Sequence, residues 1–235
     1  MSEKTTPPDP AHNLTYGLGA VLLVMLAVIG WMLASGAGPT GRINPDAGGP
    51  GGAAPKPETP SVKFKPDAEV GSGRVVIETT KGDITVELDP VHAPVTVKNF
   101  LGYVDAGHYE GTVFHRVIED FMIQGGGFDA RMIERPTAPP IRNEAGNGKK
   151  NVRGTIAMAR TGDPDSASAQ FFINVKDNPF LDRANAGDGV GYAVFGRVVE
   201  GLDVVDVIRK VRTGMSAGMP DVPVEPVVIK KVRRL

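Results

Sequence analysis

FHRVIEDFMIQGGGF, residues 114–128, sets an arginine inside an apolar and aromatic run and closes on three consecutive glycines. Nothing beside that arginine has the spacing of an acid–base pair, a thiol nucleophile or a metal site. The stretch itself reads as two short strands, TVFHRVI (112–118) and FMIQGG (121–126). Similar apolar stretches recur between turn-forming residues: TIAMAR (155–160), QFFINV (170–175), YAVFGRVV (192–199) and VVIKKV (227–232). Upstream, RVVIETTKGDITVEL (74–88) alternates apolar and polar residues on both sides of Lys81-Gly82, which predicts a β-hairpin.

Two segments carry the helical period instead. APVTVKNFLGYVDAG has Pro94 near a helix N-terminus, places Val97, Phe100, Leu101 and Val104 on one face, and stops near Gly107. EGLDVVDVIRKV (200–211) offers Leu202, Val205 and Ile208 as a stripe. Many short strands with two separated helices fit an all-β, closed antiparallel barrel capped at its ends, because closure hides strand edges that would otherwise aggregate.

Composition narrows the chemistry. The chain has 235 residues, a net charge of -1 and a 41% hydrophobic share, enough for one well-buried domain and without the basic excess that nucleic-acid binding uses. There is no cysteine, so thiolate catalysis and cysteine-ligated metals are excluded. His12, His92, His108 and His115 lack metal-site spacings, and neither a metal nor another cofactor is expected. Neither paired carboxylates nor a Ser, His and Asp set emerges, so hydrolysis has no support. QGGG lacks the spacing of a phosphate loop; Gly125 to Gly127 suit a bulge or a close backbone approach beside a ligand surface. Lys230, Lys231, Arg233 and Arg234 read as a solvated strand edge rather than a basic patch.

Residues 14–34, LTYGLGAVLLVMLAVIGWMLA, carry no charge and as a helix would span roughly 31 Å, the thickness of a bilayer core. Tyr16 and Trp31 sit near its ends, where amphipathic rings prefer the interface. A single-pass anchor is expected, with residues 1–13 as a tail and the main domain outside the cytoplasm, periplasmic or at the cell surface. The alternative is a cleaved signal peptide and secretion, with small residues at Ala34 to Ala37 as the cleavage site. Residues 35–69, rich in Pro and Gly, read as a flexible, disordered linker ahead of a domain at 70–235.

FHRVIEDFMIQGGGF, then GTIAMART (154–161), SAQFFINV (168–175) and FGRVVEGLDVVDVI (195–208), in this order, resemble the cyclophilin peptidyl-prolyl cis-trans isomerases, particularly the bacterial type, over about residues 72–235. The resemblance implies an eight-stranded antiparallel barrel with two capping helices and an outer groove that takes proline-containing polypeptides. It places Arg116 as the catalytic arginine and Phe121, Met122, Gln124, Ala159, Gln170, Phe172 and Leu181 in the groove. His115 also falls at a groove position, as a direct participant or as an orienting or packed histidine. Arg160, Phe180 and Tyr192 stand where the eukaryotic pattern has asparagine, tryptophan and histidine; Phe180 lacks the indole N–H associated with cyclosporin, which implies weak binding of that drug. Without the resemblance, Phe121, Met122, Phe172 and Leu181 read as ordinary barrel core. The expected activity is isomerisation of X-Pro bonds to assist folding, and the alternative is a non-catalytic module that holds proline-containing segments.

Overall fold

The computed structural model describes Val62, Phe64 and residues 73–235. The expected tail, the membrane segment at 14–34 and most of the linker lie outside these residues. Among the described residues no helix is long and apolar enough to cross a membrane.

The first hairpin forms as its alternation requires. Strands β1 (Arg74–Thr79) and β2 (Gly82–Leu88) pair Val75 with Val86 and Ile77 with Ile84, and all four side chains are buried. At the turn, the Thr79 hydroxyl donates to the Gly82 carbonyl (2.7 Å) and accepts from the Lys81 N–H (2.9 Å). Helix α1 (Pro94–Asp105) follows, burying Val97, Phe100, Leu101 and Val104. Its first-turn amides, which no intrahelical carbonyl can reach, are met from a distant loop: the Glu144 carboxylate accepts from the N–H of Val95 (3.2 Å) and of Thr96 (2.8 Å).

Eight further strands and one α-helix follow: β3 (Thr112–Ile118), β4 (Met122–Asp129), β5 (Thr155–Met158), β6 (Phe171–Asn174), β7 (Val194–Glu200), α2 (Leu202–Arg209), β8 (Thr213–Ser216), β9 (Met219–Pro223) and β10 (Ile229–Arg234). Eight of the strands form one antiparallel sheet in the order β10-β1-β2-β7-β5-β6-β4-β3. Its ends meet where the Gly111 N–H donates to Ile229 O (2.8 Å) and the Phe114 N–H to Val227 O (3.0 Å), so the barrel is nearly closed. The interior is aromatic: Phe100 stands 5.8 Å from Phe171 and 5.2 Å from Phe195, and Phe114 lies 6.2 Å from Phe171. Burying one such ring contributes on the order of 2 kcal/mol or more.

Two details differ from the sequence reading. In α2 the inward stripe is Val204, Val205 and Ile208; Leu202 opens the helix and stays 36% exposed. The hairpin of β8 and β9 is unexpected, since TGMSAGMPDVP has no period-two alternation and carries two glycines and two prolines. Lys230, Lys231, Arg233 and Arg234 lie, as expected, on an edge strand: β10 ends the sheet order and has its ladder with β1. Their charges point outward, and Arg233 and Arg234 reach Glu78 and Asp105.

Phe64 packs on α1 with its ring edge-on to Tyr103, centroids 4.8 Å apart. It occupies the space that a side chain at position 102 would fill: a Cβ on Gly102 would lie 2.8 Å from the Phe64 ring. A glycine inside a helix costs about 1 kcal/mol against alanine, and here the missing side chain admits an aromatic ring from the segment before the barrel.

Candidate active site

The register of β3 against β4 decides where Arg116 points. Phe114 pairs with Gly125 and Arg116 with Gln124, so two steps along β3 match one along β4, and His115 is the extra residue of a bulge. Regular alternation from inward-facing Phe114 would send Arg116 into the barrel and Val117 out. The bulge reverses that phase: Val117 joins the core, and Arg116 comes to the outer face beside Gln124. A second register shift opposite Val113 uses the glycine run, with Gly126 at φ +86. Side chains there have no room: a Cβ on Gly126 would sit 2.8 Å from the Tyr109 ring, and one on Gly127 would sit 2.6 Å from the Gln170 side chain.

Across the barrel wall the pairs Arg116–Gln124, Gln124–Phe172 and Phe172–Ala157 run in line over β3, β4, β6 and β5. On this outer face Met122, Ala157, Phe172, Leu181 and Val194 form an apolar cluster separate from the interior core, with Ile118, Phe121, Ala159 and Tyr192 packed against it. Phe121, Met122, Phe172 and Leu181 therefore do not belong to the barrel interior. Phe180, 40% exposed, stacks on Phe121 at 5.5 Å and forms part of the rim; Tyr192 stands edge-on to Phe172 at 5.8 Å. Gln124 donates to the Gln170 side-chain oxygen (2.9 Å), which fixes the amide beside Arg116.

The Arg116 side chain is 23% exposed, and its Nε lies 3.8 Å from Asp221 on β9. Burial pushes the guanidinium pKa down, while the Asp221 carboxylate and Tyr192 oppose the shift. An arginine starts so high that it stays charged at neutral pH. His115 is buried against Phe128, with ring centroids 4.7 Å apart, and its Nδ1 has no hydrogen-bond partner. Burial lowers its pKa to about 4, with the nearby Val113 carbonyl and Gln170 opposing only in part, so the imidazole is neutral at pH 7. Arg160 spends its donors internally: Nε on Gly191 O (3.0 Å), one terminal nitrogen on Thr161 O (3.0 Å) and the other on Asp188. Its guanidinium lies over the Tyr192 ring, 4.4 Å from the centroid, a cation–π contact.

Behind the cluster runs a polar network that the sequence hides, because its asparagines look like turn residues. The Asn178 amide donates to Phe121 O (2.9 Å) and Asn174 Oδ1 (2.8 Å). Asn174 in turn donates to Asn151 Oδ1 (3.2 Å), and Asn151 donates from its backbone to Asp182 (2.7 Å). All four residues are buried, and the chain of bonds ties the backbone of Phe121 to the turn that carries Leu181. Asp221 was equally hidden, since it sits 105 positions from Arg116 in a segment without strand period. A cavity of about 280 Å³ between β3 and the β8–β9 hairpin, lined by Val113, Met132, Met215 and Val222 among others, includes none of the residues expected in the groove.

Comparison with known proteins agrees with this geometry. The family profile described as cyclophilin type peptidyl-prolyl cis-trans isomerase/CLD matches residues 74–234. A peptidyl-prolyl cis-trans isomerase of Streptomyces antibioticus is 59% identical over 68% of this chain and 98% of its own length. Peptidyl-prolyl cis-trans isomerase B of Escherichia coli is 55% identical over 67% of this chain and 97% of its own. Among solved structures, a Cryptosporidium parvum cyclophilin-type isomerase crystallised in the presence of the dipeptide Ala-Pro superposes with a TM-score of 0.56 at 26% identity, covering 68% of this chain and 96% of that one. Profile, bacterial relatives and barrel topology converge on residues 74–234, and the chain belongs to the cyclophilin-type peptidyl-prolyl cis-trans isomerases.

Proposed function

We propose that the Arg116 face binds X-Pro segments of polypeptide chains and accelerates their cis–trans rotation, and that residues 14–34 hold this domain at a membrane, outside the cytoplasm. The observation that carries the first part is the bulge at His115, which sets a charged donor and the Gln124 amide beside an apolar cluster on the barrel's outer face. The relative crystallised with Ala-Pro supports a proline-containing ligand.

Rotation about an X-Pro bond breaks no covalent bond; its barrier of about 18–20 kcal/mol is lost amide resonance. As the bond twists, the proline nitrogen pyramidalises and regains a lone pair. A guanidinium placed against that nitrogen stabilises the twisted state more than either planar isomer. One preorganised donor is worth about 3–4 kcal/mol, out of roughly 5–7 kcal/mol needed to turn over about 10³ times per second. Water exclusion and orientation supply the rest. Met122, Phe172 and Leu181, with Phe121 at the side, take the proline ring, and Gln124 holds the substrate backbone. Neutral His115 packs the strand rather than moving a proton, and Arg160 shapes the wall through Tyr192.

The decisive experiment is a prolyl-isomerisation assay on the native chain and on Arg116→Ala. The expected result is a fall in kcat/KM of at least tenfold with an unchanged melting temperature; a native rate in the folded variant would remove Arg116 from the reaction. The native rate should be nearly flat from about pH 6 to 9, because arginine keeps its charge there. Phe180 offers no indole N–H, so cyclosporin binds weakly; Phe180→Trp should tighten it about three- to tenfold, the worth of one net hydrogen bond. Protease treatment of sealed cells tests the topology: a protected domain places it in the cytoplasm, and release into the medium favours a cleaved signal.

A further inference from the structure

Arg116 makes one ion pair among the described residues, and its partner comes from outside the eight-stranded barrel. Asp221 lies on β9, in the two-stranded hairpin that packs across β3. Its Oδ2 stands 3.8 Å from Arg116 Nε, too long for a hydrogen bond and close enough for a direct charge contact. The backbone at Asp221 is left-handed, φ +61, a conformation that L-residues adopt at a cost and that tends to persist where the surrounding structure and the function require it. Buried Val222 and Pro223, immediately after it, anchor the strand against the barrel. Strain, anchoring and charge together put a carboxylate at the Nε edge of the guanidinium. The two terminal nitrogens have no hydrogen-bond partner among the described residues, which leaves both available to a substrate.

We propose that Asp221 is a positioning residue for Arg116, holding the Nε edge of the guanidinium so that its terminal nitrogens stay aimed at the twisting imide. The inference rests on Arg116 being the catalytic donor. An unheld arginine side chain loses much of its benefit to rotamer freedom, so removing the hold weakens the transition state more than the binding of the planar substrate. The effect belongs in kcat rather than KM.

The test is a double-mutant cycle in the full-length chain with Arg116→Ala, Asp221→Asn and the pair, reading kcat and KM for a proline peptide. Asparagine tolerates the left-handed backbone, so Asp221→Asn removes the charge and keeps the fold. Expected are a three- to tenfold fall in kcat with KM within twofold, no further loss when Asp221→Asn is added to Arg116→Ala, and partial recovery in Asp221→Glu. The NMR signal of the Arg116 Nε–H should also move in Asp221→Asn. A native kcat in Asp221→Asn, or losses that multiply in the double variant, would overturn the assignment. A native rate in Arg116→Ala would instead overturn the catalytic reading of Arg116, and this inference with it.

Discussion

Phe171 and Phe172 are chain neighbours on β6 with opposite duties. Phe171 is fully buried in the barrel interior among Phe100, Tyr109 and Phe114; Phe172 is 4% exposed in the outer cluster between Gln124 and Ala157. One face of the wall is packed for stability alone. The other is apolar too, yet it is interrupted by Arg116, Gln124 and Gln170 and bordered by exposed Phe180. Two kinds of apolar surface thus share the same strands, and burial alone does not tell them apart. What does is the polar company each keeps.

That contrast can be broken experimentally. Phe171→Ala should cost about 3–5 kcal/mol of stability, measured by denaturant unfolding, while the folded fraction keeps near-native kcat/KM. Phe172→Ala should do the reverse, losing tenfold or more in kcat/KM at a smaller stability cost. Equal stability losses with equal activity losses would erase the distinction between the faces.

His115, at the seam between the faces, sharpens it through pH. Its folded pKa of about 4 lies below the unfolded value near 6.5, so the unfolded chain binds more protons between those limits. Stability from this residue is complete above about pH 6.5 and is lost as pH falls toward 4, by about 3 kcal/mol. Unfolding free energies of the native chain and His115→Gln across that window should show the slope in the native chain and its reduction in the variant.

The smallest effect concerns α1. Gly102→Ala gains about 1 kcal/mol of helix propensity but drives a methyl group into the Phe64 ring. In the full chain the melting temperature should stay level or fall. In a chain that begins at residue 70, without Phe64, the same substitution should raise it, and the change of sign is the readout.

Much of the barrel was legible because its strands obey a simple period: Val75, Ile77, Ile84 and Val86 announce a face by alternation, and the sheet uses them so. The β8–β9 hairpin was not, because glycines, prolines and a left-handed Asp221 leave no pattern. The groove residues were named by motif, but their side of the wall was not readable from periodicity, since Met122 and Phe172 look as apolar as Ile123 and Phe171. Asp221 and the Asn151, Asn174, Asn178 and Asp182 network act through contacts between distant segments, which no local window contains.

The bulge at His115 places in β3 one residue that the pairing with β4 does not count. Deleting that residue would restore one-for-one pairing and leave the guanidinium on the outer face and Val117 in the interior. Loss of residue 115 should therefore keep the facing of β3 and remove only the buried imidazole and the extra local twist that a bulge imposes.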